Sequence, residues 1–314
     1  MAPRVHFLGA TMMEDPNATW RAVLSHPVDV EHYQPLSSAA VLEIAGSSMC
    51  GARHSHNTDH YLVLRIGRMQ ETVLSSLPEA DLPPRFTEYG YALAVADGLG
   101  DRGAGARASR VVLSTLAHLT IRYGKWNVRV DPSTIEEIAE QSEFLYRRAH
   151  DAILEARRED PLLADMAASI TAMYVAGGDL FFAHVGHAKG FLFRDGNLVQ
   201  LTVDHTLEQE RLDTPEPVSL PRQKRDFSHE LTDVIGGHAE PRIDVEHFEL
   251  FTGDRLLLCT NGLTDALSES AIAGVLALQR RPADDCQRLA ELARAARADD
   301  DVTLLVADYR LQRC

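Results

Sequence analysis

With 314 residues, 45% of them hydrophobic, the chain has the length and apolar content for one large domain or two ordinary ones. Its 46 acids against 31 bases give a formal charge of −15, which argues against electrostatic capture of nucleic acid or of an anionic membrane. No apolar run approaches a membrane span and the first ten residues do not read as a signal peptide, so a cytoplasmic protein is expected.

Residues 1–38 are mixed, with Pro16, Pro27 and Pro35 breaking any periodicity, and read as an extension rather than a fold of their own. Short apolar-rich runs at 39–44, 61–66 and 91–96 predict strands. Helices are predicted over 104–123 and 132–159. The second has Ser133 or Thr134 near its start, acids in its first turn and Arg157-Arg158 near its end, a polarity that suits the helix dipole. Within it Ile135, Ile138, Leu145, Ala149 and Ile153 recur near helical spacing and predict one buried stripe. Strands follow at 170–176, 180–185, 190–193 and 198–201, with Gly177-Gly178-Asp179 and Asp195-Gly196-Asn197 as hairpin turns. Residues 208–230 are charged, proline-bearing and aperiodic, the pattern of a mobile surface segment. Strands at 245–250 and 255–260, helices near 268–278 and 283–298, and a strand at 302–307 complete the series. Such grouping predicts α+β layers rather than strict βαβ alternation.

Cys50, Cys259, Cys286 and Cys314 form no C-x-x-C pair, so neither a disulfide framework nor a structural zinc site is indicated. Chemistry points instead to oxygen ligands. In Ala94-Val95-Ala96-Asp97-Gly98-Leu99-Gly100-Asp101 an apolar strand ends in an acid flanked by glycines. The strand fixes the carboxylate and the glycine leaves a backbone carbonyl exposed beside it, which suits a hard cation; a plain strand-to-helix turn reads the same way. Asp59 precedes the strand at 61, and Asp300-Asp301 leads into the last one. Carboxylates converging on strand ends suit magnesium or manganese rather than zinc, although Asp is also a common turn former there. His54, His56 and His60 crowd beside Asp59; His54 and His56 share one face of an extended segment, so they read either as a two-histidine zinc pair or as rim histidines.

Taken in order, these pieces resemble the metal-dependent protein serine/threonine phosphatases, the protein phosphatase 2C or PPM family. Arg53 followed by Asn57-Thr58-Asp59 resembles that family's arginine and N-E-D element, and Asp97-Gly98-Leu99-Gly100-Asp101 its D-G-x-G-G. Ala167-Ala168-Ser169 stands in the place of G-T-T, Val185-Gly186-His187-Ala188-Lys189 resembles V-G-D-S-R, and Leu201-Thr202-Val203-Asp204-His205-Thr206 resembles L-T-x-D-H-S/T. The stretch from Gly253 through Thr260-Asn261-Gly262-Leu263 follows G-D-x-L-L-L-C-S/T-D-G-L, and Asp300-Asp301-Val302-Thr303 the closing D-N/D-x-T. The resemblance implies a four-layer α-β-β-α sandwich, two central, mostly antiparallel sheets flanked by helix pairs. It implies one such domain over 39–310 with 311–314 as a tail.

It also implies two Mn2+ or Mg2+ ions that activate a water for attack on a phosphoryl group. By that carry-over Asp97 bridges the metals, Gly98 offers its carbonyl, Asn261 and Asp300 complete the shell, Asp59 supports the ligands from behind and Arg53 forks the phosphate. The partner implied is a phosphorylated protein or its serine/threonine kinase, met by a monomer. Several positions depart from the family form: Thr58 and Asn261 replace acids, His187 replaces the acid of V-G-D-S, and Asp101 replaces a glycine. Two divalent ions facing only Asp97 and Asp300 are expected to bind weakly, with Asp101, His187 or Thr58 as auxiliary groups. Two readings stand: a phosphatase acting on phosphoserine and phosphothreonine, or a phosphatase-like binding module that recognises a phosphoprotein or kinase without turnover.

Overall fold

The computed structural model describes residues 39–78, 82, 85–101, 103–123, 132–213 and 230–312. All of them fall in one compact unit; the extension expected at 1–38 lies outside them.

Among the described residues ten strands form two five-stranded sheets. The first contains β1 (Ala40–Met49), β6 (Lys189–Arg194), β7 (Asn197–Gln200), β9 (Arg255–Cys259) and β10 (Val302–Leu311), in the order β1-β10-β9-β6-β7. The second contains β2 (His60–Gln70), β3 (Phe86–Leu99), β4 (Ala167–Ala176), β5 (Asp179–Val185) and β8 (Asp244–Glu249), in the order β2-β3-β4-β5-β8. Every pairing between them is antiparallel. The hairpin turns fall where the glycines predict them: Gly177 and Gly196 take the left-handed backbone that closes β4–β5 and β6–β7.

Three apolar layers bind four structural layers. Leu93, Val95, Phe182, Leu258, Leu305 and Tyr309 fill the space between the sheets, where each large side chain contributes about 1.5–3 kcal/mol. The Tyr309 hydroxyl donates to the Gly177 carbonyl at 2.9 Å, so this polar atom is not stranded in the core. Helices α1 (Ala104–Tyr123) and α2 (Pro132–Glu159) cover the outer face of the second sheet, burying Val112, Leu116, Tyr146, Ala149 and Ile153. On the other side α4 (Asn261–Ala266), α5 (Glu269–Leu276) and α6 (Pro282–Ala295) pack Leu263, Ile272 and Leu289 against the first sheet. This is the four-layer sandwich expected. Buried Arg255 ties layers together, donating to Asp285 at 2.6 Å and to the Leu276 carbonyl at 2.9 Å.

Four local expectations are corrected. The strand carrying Asp97 does not end there but runs to Leu99, because β4 starts at Ala167 and pairs Ser169 with Asp97 and Ala168 with Gly98. The start of the segment expected to be mobile is helical, α3 (Leu207–Asp213), capped by the Thr206 hydroxyl accepting from the Gln209 amide at 3.3 Å; residues 214–229 lie outside the described set. Helix α4 is absent from the sequence expectations, since six residues cannot show a periodicity. Helix α2 starts at Pro132, so Glu136 and Glu137 fall in its second turn. Among the described residues no helix is long and apolar enough to cross a membrane.

Candidate metal centre and substrate cleft

One end of the two sheets gathers nearly every residue singled out above. The end of β3 brings Asp97, the turn before β2 brings Thr58 and Asp59, the β9–α4 junction brings Thr260 and Asn261, and the turn into β10 brings Asp300 and Asp301. Close backbone approach makes this convergence compact. A Cβ on Gly98 would sit 1.9 Å from the Gly105 carbonyl oxygen and 2.7 Å from that of Thr58. A Cβ on Gly262 would sit 2.1 Å from the Asp301 carbonyl oxygen. Only glycine lets these segments meet.

Asp97 and Asp59 are both buried, 5% and 4% exposed. Burial, and then the negative charge of Asp300, raises the Asp97 carboxyl above the usual range, while a hydrogen bond with Asp59 opposes the rise. Asp59 is raised well above its ordinary value by burial and then by Asp97, although the Thr260 hydroxyl donates to it at 2.7 Å. A buried pair of carboxylates with elevated proton affinity favours a cation beside it.

Asp301 behaves differently. Its burial raises the pKa, but the amides of Thr58 (2.7 Å) and Gly51 (2.8 Å), His54 and the Thr58 hydroxyl (2.9 Å) outweigh this and hold it below the ordinary value. Asp300 is open on one side and receives the Asn261 amide nitrogen at 3.2 Å. That amide is 4% exposed, also donates to Asp265 at 3.1 Å, and leaves its oxygen buried with no hydrogen-bond partner.

His187, in the place of the family acid, points its Nε2 at Asp97 from 3.7 Å. Ser169 sets that position: its hydroxyl accepts from the His187 and Ala188 amides at 2.9 and 2.8 Å. His205 backs the same turn, accepting from the Gly186 amide at 3.3 Å and bonding Asp244 at 3.0 Å. Asp101 is exposed at the entry to α1, with its amide on Asp165 at 2.8 Å. Of the three crowded histidines, His54 meets Asp300 and Asp301, His56 bonds Ser55 at 2.8 Å, and His60 bonds Ser109 at 3.0 Å. The two histidines that could read as a zinc pair thus take separate partners.

Beside the carboxylates lies a cleft of about 450 Å³ lined by Arg53, His54, Asp265, Arg297, Asp299 and Asp300. Arg53 is 75% exposed and paired with Asp299 at 2.6 Å, a rim position from which its fork can turn to an anion. Ser169, Thr260 and Asp301 are the residues whose roles the sequence leaves unassigned. All three lie inside the family-like motifs, but what each one holds depends on contacts across the two sheets.

The groups that would hold a cation here are the carboxylates of Asp97, Asp300 and Asp301 and the amide of Asn261. Together with the unsatisfied Asn261 oxygen and the raised carboxyls, they fit a hard divalent cation.

Comparison with known proteins agrees. A sequence model described as Protein phosphatase 2C matches residues 85–296. The serine/threonine protein phosphatase PstP of Mycobacterium tuberculosis is 34% identical over 220 residues, which is 69% of this chain but 40% of that protein, so the chain spans less than half of that relative. The serine/threonine phosphatase stp of Listeria welshimeri is 26% identical over 219 residues, covering 70% of this chain and 84% of that one. Among solved structures, the catalytic domain of PstP in complex with two manganese ions superimposes with a TM-score of 0.64 at 28% identity, covering 86% of this chain and 99% of that one. Fold, motif order and these likenesses lead to one conclusion: the chain belongs to the protein phosphatase 2C family.

Proposed function

We propose that the chain hydrolyses phosphoserine and phosphothreonine in proteins, using Mn2+ or Mg2+ held at Asp97, the Gly98 carbonyl, Asn261 and Asp300. The observation that carries this reading is the buried Asp97 carboxylate, set within a ring of acids and an unsatisfied amide oxygen and offered no neighbouring lysine or arginine among its described contacts. When bound, the cations supply Lewis-acid chemistry: they lower the pKa of water and neutralise charge growing on the phosphoryl oxygens. The protein's part is positioning. Arg53 leaves Asp299 and forks two phosphate oxygens, fixing the ester at the mouth of the cleft. Asp59, held by Thr260, keeps the Asp97 carboxylate oriented, and Ser169 keeps the His187 ring against its outer oxygen.

The reading of a binding module without turnover rests on Thr58 and Asn261. Asp301 weakens its first support, since a carboxylate stands against Thr58 and receives both of its donors. The test is direct. Purified protein with millimolar Mn2+ should hydrolyse an aryl phosphate and a phosphothreonine peptide, and Asp97→Asn should remove that activity. Turnover no greater than that of Asp97→Asn would refute the proposal.

A further inference from the structure

We propose that His54, Asp300 and Asp301 form a mixed nitrogen–oxygen metal position in this cleft, one that prefers a borderline divalent ion such as Mn2+, Co2+ or Zn2+ over Mg2+. The inference deepens the metal-dependent reading of the same site and rests on it for location alone. His54 Nδ1 lies 3.1 Å from Asp301 Oδ2 and 3.5 Å from Asp300 Oδ1. One donor atom from each residue falls within 4.8 Å of the others. An ion with ligand bonds of about 2.1 Å holds its neighbouring donors at separations of this size.

A second observation points to a cation on the same Asp300 carboxylate, at its other oxygen. The Asn261 amide is wedged between the carboxylates of Asp300 and Asp265, to which it must show nitrogen. Its oxygen is therefore left buried and unsatisfied, a loss that native structures rarely tolerate. A cation on Asp300 removes that constraint, because the amide can then turn its oxygen inward.

Thr58 helps to fix one wall of this position. Where the family pattern has an acid, Thr58 gives its amide and hydroxyl to one oxygen of Asp301 and so holds that carboxylate in place. The same oxygen faces His54. The turn that carries His54 is itself fixed, with its amide donating to the Gly51 carbonyl at 3.3 Å and its carbonyl accepting from the Cys50 thiol. His54 and Asp300 are 39% and 38% exposed while Asp301 is 1% exposed, so the position has an anchored wall and an open face for an ion to enter. An imidazole nitrogen shifts preference away from Mg2+, which demands oxygen, toward Mn2+, Co2+ and Zn2+.

The experiment titrates the metal-free 314-residue chain with MnCl2, followed by calorimetry and by electron spin-echo spectroscopy of the bound ion. Wild type should show nitrogen modulation from a directly bound imidazole. In His54→Ala that modulation should vanish and Mn2+ affinity at one position fall about tenfold or more, with Asp301→Asn moving in the same direction and Mg2+ affinity changing little in His54→Ala. Circular dichroism of the metal-free proteins verifies that each substituted chain folds; His54→Gln, which keeps a hydrogen-bond donor for Asp301, should also lose the modulation. Mn2+ bound without nitrogen modulation overturns the inference, as does modulation that survives in His54→Ala and disappears in His187→Ala. Turnover without the nitrogen signal would sink this inference and spare the phosphatase reading; the nitrogen signal without turnover would do the reverse. Failure to bind Mn2+ at all would overturn both.

Discussion

Asp97→Asn should make the metal-free protein more stable. Burial, followed by the charge of Asp300, raises the Asp97 carboxyl from 3.8 to about 7. The folded chain therefore binds this proton more tightly than the unfolded chain, and stability falls as pH rises from about 4 through about 7. At ~1.4 kcal/mol per tenfold change in proton affinity, the ionised group costs the fold at most about 4 kcal/mol above pH 7. Asparagine is nearly isosteric and uncharged and can hydrogen-bond Asp59, but it leaves other amide donors and acceptors buried, so about half of that, ~2 kcal/mol, is the expected gain. For a domain of this size that raises the Tm by roughly 3–4 °C. The assay is scanning calorimetry in EDTA at pH 8 and pH 5. At pH 5 the wild-type carboxyl already holds its proton, and the gain should shrink to less than half. Adding Mn2+ should reverse the order, stabilising the wild-type protein far more than Asp97→Asn. A Tm for Asp97→Asn below wild type at pH 8 in EDTA, or a gain equal at both pH values, would refute the electrostatic account.

Three further outcomes test other parts of the structure. Arg53→Ala should raise KM for a phosphopeptide about tenfold with little change in Tm, because the exposed pair with Asp299 adds little stability; an unchanged KM would remove Arg53 from substrate binding. Asp285→Ala takes from the buried Arg255 guanidinium one of its two carboxylates, leaving Asp308, and equilibrium urea unfolding should report a loss of about 3 kcal/mol, with any loss under ~1 kcal/mol contradicting the buried network. Arg297, exposed on the cleft, holds φ at 56°, a left-handed value that glycine adopts freely. Arg297→Gly should therefore leave stability within about 1 kcal/mol of wild type or improve it, while weakening phosphopeptide affinity in a binding assay if the guanidinium serves the cleft.

Much of the fold was legible because its signals are local. The apolar run at 180–185, the amphipathic stripe of α2 and the glycine turns at 177 and 196 need only nearby residues to declare themselves. The metal-seeking acids were legible for a related reason: Asp59, Asp97 and Asp300 each stand where a strand begins or ends, next to a turn or a glycine. Helix α4 is not legible because it is shorter than two turns. The last residues of β3 are hidden for another reason: Asp97 and Gly98 look like a turn until β4 pairs with them.

The sequence by itself determined the family, the layered α+β architecture and which acids would face one another at the sheet ends, since motif order and binary patterning are properties of the chain. Only the tertiary structure decided how charge is distributed there. Thr58 and Asp301 are separated by 243 positions, yet one accepts both donors of the other at 2.7 and 2.9 Å. A substitution that reads as a lost ligand along the chain is, in space, a pair of hydrogen-bond donors that holds the Asp301 carboxylate beside His54. Electrostatics acts through distance and burial, and neither is written in linear order.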